Sequence, residues 1–478
     1  MNKIILENAN DMTPAVFQAL ENCAADNVIP KKNILLIVAH DLGQHIGPYG
    51  VKSVHTPNLD RMANEGVLYE NNFCTSPGCS PSRAAIFTGR YPHSNGVMGL
   101  THADFLWRLN EGEKHLAQTL GEHGYRTALL GNWHENNRID NVGYQQTVVR
   151  TENGFALDSD VNRNETHPNA LDLAERADFY LAQQKTAEEP FFLYAGIFEP
   201  HRPFDFKGCK PDDTNGVWIP PYIPQKNDAQ KEAARKEFAE VQGCIRRMDE
   251  AVGQILDSLE KHNLKESTLV LLTADHGLAM PRAKCTLYDP GIETPLMLWG
   301  AGIPANVRHT SLISNVDYFP TLMDYCGLPV SAKLQGRSFW PQLTGGGYTE
   351  QPAVFAEKTY HRDYDPIRCI RTEKYKFIIN FELNMACDAP SDVQQGDIYR
   401  ATVKEWCGLR PRFELYDLEA DPWEQTNLAG DPAGAEVRAD LQQQLIDWMK
   451  ETGDPLLQGP VRSIYYEEII KYLNGRNP

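Results

Sequence analysis

Three apolar runs in this 478-residue chain stop on side chains that can bind a metal ion or move a proton. NILLIVAHD ends in His40 and Asp41, TLVLLTADHG carries Asp275 and His276 near its end, and PFFLYAGIFEPH ends in His201. Carboxylates and imidazoles serve as acids, bases and ligands, and here each one stands where a hydrophobic segment gives way to polar chain. A fourth stretch, CSPSRAAIFTGR from Cys79 to Arg90, sets a thiol four residues ahead of a guanidinium. A guanidinium is permanently charged and grips oxygens in a fork.

The elements that must carry these groups follow from the pattern. A continuous apolar run that breaks off abruptly reads as a buried central strand of a parallel sheet, with functional groups at its carboxyl end. Val241, Ile245, Met248, Val252, Ile255, Leu256 and Leu259 step by three and four, so a helix with one apolar stripe precedes the strand at 268. Strands alternating with helices predict an α/β fold with a large, mostly parallel sheet flanked by helices over residues 33–345. GGG at 345–347 punctuates the chain. Beyond it, AVFAEKTY, YKFIINF, FELYDLEADP and a helix near 434–450 predict a smaller C-terminal α+β domain with an antiparallel sheet, residues 346–478. Residues 1–32 read as an extension, with Thr13 as an N-cap, Pro14 at the first helical position and an apolar face of Val16, Phe17 and Leu20 that packs on the body or on a second subunit.

Composition narrows the function. Lys plus Arg number 46 against 64 Asp plus Glu, a formal charge of −18 with no basic block, which argues against nucleic-acid binding. No apolar run reaches the roughly 18–20 residues of a membrane span, and the N-terminus carries acidic and amide residues where a signal peptide is apolar. The expectation is a cytoplasmic protein. The ten cysteines are scattered without CxxC pairs and read as reduced core residues, Cys79 excepted.

CSPSRAAIFTGR resembles the signature of the sulfatase family, part of the alkaline phosphatase superfamily. TPNLDRMANEGV at 56–67, GYRTALLGNWH at 124–134 and LYDLEADPWEQTNLA at 415–429 look like the family's landmarks in the family's order. CSPSRA, FEPHRPF, IPPYIP and TLYDPG place the closest resemblance with the heparan N-sulfatases, or sulfamidases.

The resemblance implies that Cys79 is oxidised to formylglycine by a formylglycine-generating enzyme, and that the aldehyde hydrate is the nucleophile. It implies Arg83 as the residue holding that nucleophile, His134 as its base, His201 as a sulfate contact and leaving-group acid, and Lys284 as a cation on the sulfate. The implied metal ligands are His40, Asp41, the modified Cys79, Asp275 and His276. The family's usual shell is all oxygen and suits calcium. Two imidazoles suit manganese or zinc better, unless the histidines stand behind the ligands and leave the aspartates to a hard ion. Asn132 stands where the signature has lysine. His361, Arg362 and Asp363 follow a strand and either line the cleft as specificity residues or form a solvated turn. Trp107 reads as core, or as a surface for a sugar ring. The expected activity is hydrolysis of a sulfate ester or sulfamate on a small N- or O-sulfated amino sugar. The alternative is a formylglycine-dependent phosphodiester or phosphonate monoester hydrolase using a transition metal.

Overall fold

The computed structural model describes residues 32–475 except 104, 213, 215, 384–388 and 407. The helix start expected at Thr13 and Pro14 lies outside the described residues. A seven-stranded sheet forms the centre: β1 (Asn33–Ala39), β2 (Val67–Tyr69), β3 (Arg126–Gly131), β4 (Phe191–Ile197), β5 (Thr268–Ala274), β6 (Leu296–Gly300) and β7 (Val307–His309). Their spatial order is β7–β2–β6–β5–β1–β4–β3, and β6 alone among the seven runs against the rest. Every residue of β1, β4 and β5 is buried, which is why these segments are apolar throughout and do not alternate.

Helices cover both faces. Leu35 and Ile37 of β1 pack on one side with α3 (Ala170–Gln184) and the 34-residue α4 (Asp228–Lys261). Ile34, Leu36 and Val38 pack on the other with α1 (Cys79–Thr88), α2 (Leu116–Glu122) and α5 (Tyr318–Cys326). The stripe from Val241 to Leu259 faces the core as expected, but α4 begins earlier, capped by Asn227 on the amide of Gln230.

The smaller sheet is antiparallel: β8 (Ala353–Tyr360), β9 (Tyr364–Thr372), β10 (Tyr375–Asn380) and β11 (Phe413–Asp417), in that order, with α6 (Ala435–Thr452) packed against it. Strand β9 has no counterpart among the expected strands. Its buried charges are paired internally: Arg368 bonds Asp454 at 3.0 Å and lies 3.1 Å from Glu357, and Asp365 accepts from Lys358 at 2.7 Å and from Arg410. His93, just after α1, places Nδ1 2.9 Å from both carboxylate oxygens of Glu357 in β8, joining the two sheets' layers through this ionic cluster. Trp107 is buried against Tyr360, a core position. Among the described cysteines, Cys74, Cys79, Cys209, Cys244 and Cys369 are buried free thiols and Cys326 is a half-buried one.

Candidate active site

Ala39 pairs with Ile197 on one side and Ala274 on the other, so β1, β4 and β5 end level. The residues that follow therefore leave the sheet along one edge. The amide of Asp41 donates to Asp275 Oδ1 at 2.9 Å, locking the two strand ends together. Asp41 itself sits in the left-handed region, φ 56°, as the chain turns away. At the next strand end Gly131 pairs with Gly196. A Cβ on Gly196 would stand 1.9 Å from the carbonyl oxygen of Asn132, so only glycine lets the 132–134 segment pass.

Cys79 is the first residue of α1, after an extended Gly78, and every side chain of this helix is buried. Ser82 donates to the carbonyl of Asp275. Arg83 places Nε and Nη2 at 3.0 and 2.9 Å from Asp275 Oδ2 and donates through Nη1 to Tyr194. The guanidinium thus grips Asp275 one turn along α1 from Cys79. Burial pushes the Cys79 thiol well up, against the opposing field of Lys284.

Single donor atoms of His40, Asp41, Cys79 and Asp275 lie within 4.8 Å of one another, all buried. Two carboxylates, an imidazole and a sulfur position in one closed cluster form a donor set that fits a divalent cation. His40 Nδ1 faces Asp41 at 2.9 Å and Asp275 at 3.6 Å. Burial lowers His40 to about 4, so its ring is neutral and able to ligate at neutral pH. His276 is adjacent, with Nε2 3.1 Å from Asp41 Oδ1 and 3.4 Å from Cys79 Sγ, while Nδ1 lies 3.0 Å from the carbonyl of Gly277. A ring held by the carbonyl at Nδ1 presents Nε2 as its free lone pair. Burial works to raise both carboxyls. Lys284 leads the groups that nonetheless hold Asp41 well below the ordinary range, and His40 and Arg83 do the same for Asp275.

Lys284 donates to Asp41 Oδ2 at 2.7 Å and to Asp392 Oδ2 at 2.9 Å, with His201 Nε2 at 3.5 Å. The ring of His201 lies 4.4 Å from that of His40, and that of His134 lies 5.6 Å away. Burial lowers both of these imidazoles. Asn132 is buried, and neither side-chain polar atom has a hydrogen-bond partner among the described residues. His361 is half-buried and reaches toward Gly78, where an added Cβ would meet its ring at 3.4 Å, whereas Arg362 and Asp363 face solvent. Sequence reading missed Asp392, Tyr194 and His102, whose ring lies 5.0 Å from that of His134. A lone aspartate 108 residues beyond Lys284 and a tyrosine inside an apolar strand carry no local signal.

Comparisons with known proteins agree with this arrangement. The family model described as Sulfatase matches residues 32–328, and one described as N-sulphoglucosamine sulphohydrolase, C-terminal, matches 276–396. Human N-sulphoglucosamine sulphohydrolase is 30% identical over 477 residues, covering 90% of this chain and 92% of its own. A solved sulfatase-type structure from Bacteroides fragilis superposes with a TM-score of 0.71 at 20% identity, covering 90% of this chain and 98% of that one. A phosphonate monoester hydrolase from Silicibacter pomeroyi shares the fold too, with a TM-score of 0.65 at 19% identity, covering 88% and 96%.

Proposed function

The chain belongs to the sulfatase family, a family of hydrolases acting on sulfate esters or sulfamates, and from that premise we propose that its substrate is a small N- or O-sulfated amino sugar. The observation that carries this reading is Cys79: a thiol at the head of a buried helix, inside CSPSR and against His40, Asp41 and Asp275. Converted to formylglycine, Cys79 would supply the attacking oxygen as an aldehyde hydrate. A divalent cation held by His40, Asp41, Asp275 and the modified Cys79, with His276 beside them, would supply Lewis acidity to that oxygen and to the sulfate.

The remaining work falls to the protein. Arg83 neutralises Asp275 and fixes α1 against the end of β5, setting the position of residue 79. Lys284, buried and charged, adds its positive field beside the sulfate position while Asp41 and Asp392 hold its ammonium in place. His201 Nε2, 3.7 Å from Asp41 Oδ2, would pass a proton to the departing oxygen or nitrogen from its imidazolium form, which burial opposes and Asp41 favours. His134 Nδ1, buried with no partner among the described residues, stands ready to accept one from the nucleophile.

The fold is shared with a phosphonate monoester hydrolase, and the Asp275-His276 pair is what favours the second reading, a phosphodiester or phosphonate monoester hydrolase using a transition metal. The test uses purified enzyme with Cys79 conversion confirmed by mass spectrometry and loaded in parallel with calcium or manganese. Sulfate release from N-sulfoglucosamine and 6-O-sulfoglucosamine is compared with cleavage of an aryl phosphodiester. Faster sulfate release supports the proposal, and faster phosphodiester cleavage replaces it with the second reading.

A further inference from the structure

Asp392 reaches the site from far along the chain. It sits in the short helical turn Ser391–Gln394, is 23% exposed, and places Oδ2 2.9 Å from Lys284 Nζ and 4.0 Å from His201 Nε2. It also borders a cavity of about 420 Å³ lined by Arg202, Phe204, Asp205, Glu240 and Gln395. Arg202 is taken up by an ion pair with Glu237 outside that lining. The cavity beside His201 is therefore net acidic, and Asp392 is the carboxylate common to it and to the catalytic cluster.

Lys284 spends its donors on Asp41, Asp392 and His201. It engages only Oδ2 of Asp392, and among the described residues Oδ1 has no recorded hydrogen bond. A carboxylate oxygen accepts and cannot donate. Beside the group that protonates the leaving atom, it distinguishes two kinds of substrate. When an S–N bond breaks, the bonding electrons stay on nitrogen, and one proton delivered by the His201 imidazolium completes a neutral amine whose other N–H was already present in the sulfamate. When an S–O bond breaks, the bridging oxygen carries no hydrogen to offer a carboxylate until it has taken that proton.

We propose that Asp392 is the specificity-determining residue that accepts a hydrogen bond from the leaving nitrogen of an N-sulfated amino sugar, favouring sulfamate over sulfate-ester cleavage. The inference rests on the sulfatase reading of the same site. It deepens that reading by naming the leaving group, and a charge-assisted hydrogen bond is the strong kind.

The experiment compares wild type with Asp392→Asn, both with Cys79 converted and both checked by thermal melting. Two readouts are taken: kcat/KM on N-sulfoglucosamine against 6-O-sulfoglucosamine, and the affinity of the bare sugars glucosamine and N-acetylglucosamine measured by calorimetry. The expected result is at least a tenfold fall in the N-to-O ratio and at least a tenfold loss of glucosamine affinity, with N-acetylglucosamine binding alike in both. An equal fall on both substrates would reduce Asp392 to a prop for Lys284 and overturn the proposal. So would unchanged glucosamine affinity, or a wild type that does not prefer glucosamine. If wild type releases sulfate from neither substrate, the sulfatase reading fails, while the sugar-binding readout still decides Asp392 by itself.

Discussion

Replacing Arg83 with methionine is the sharpest test of how the site is held together. The guanidinium is fully buried, and two of its nitrogens lie at 3.0 and 2.9 Å from the same oxygen of Asp275, also fully buried. Methionine fills much of the volume but leaves that carboxylate without its cation. Stranding one partner of a buried pair costs about 3–5 kcal/mol. At about 2.1 cal/mol/K of unfolding entropy per residue, a chain of 478 residues has about 1 kcal/mol/K, so the melting point should fall by about 3–5 °C. Scanning calorimetry on metal-free protein measures it. Adding Asp275→Asn to Arg83→Met removes the stranded charge and should recover more than half of the loss, a double-mutant cycle on neighbouring groups. Loading a divalent cation should shrink the deficit of the single variant, because the cation neutralises Asp275 in place of Arg83. A single variant melting within about 1 °C of wild type, or a double variant no better than the single, would refute the charge-compensation argument.

Other perturbations separate chemistry from scaffolding. Cys79→Ala should abolish turnover and leave the melting point unchanged; appreciable residual sulfate release would remove Cys79 from the mechanism. His276→Asn should raise calcium affinity relative to manganese in titration calorimetry, and an unchanged preference would place His276 behind the ligands. In the smaller sheet, burial tends to raise the Asp365 carboxyl, but Lys358 and Arg410 hold it well below its ordinary 3.8. A depressed carboxyl adds stability that is fully present above the unfolded value and lost as pH falls through the folded one, so acid should unfold wild type steeply below about pH 4. Asp365→Asn should lose about 3–5 kcal/mol at pH 7 by stranding two buried cations, and should show a flatter acid limb. Denaturant midpoints at pH 7 and pH 3 report this, and equal midpoints at pH 7 would dismiss it.

The strand ends were legible because burial on both faces forces long apolar runs, and a run that stops on His-Asp or Asp-His marks its own carboxyl end. That put His40, Asp41, Asp275 and His276 along one edge from sequence alone. Strand β9 was not legible for the opposite reason. Asp365, Pro366, Arg368 and Arg371 break any apolar pattern, and their burial makes sense only once Lys358, Arg410, Glu357 and Asp454 surround them. The bond from Lys284 to Asp392 joins residues 108 apart through no repeat or motif. The early turns of α4 present Asp228, Lys231, Glu232 and Arg235, a polar start that hides a helix whose second half is plainly amphipathic. The partners of Arg83 also needed coordinates, since four residues of spacing to Cys79 do not reveal its bonds to Asp275 and Tyr194.

Cys79 is 4% exposed, with α1 buried along its whole length around it. If Cys79 is oxidised as proposed, an enzyme acting on this thiol would have to reach it before α1 closes around it. Conversion therefore has a deadline set by the folding of this chain. A molecule that folds before it is oxidised keeps its thiol for as long as it stays folded. On that reading the converted fraction of a preparation would be set during synthesis, and adding oxidising enzyme to the purified protein should not raise it.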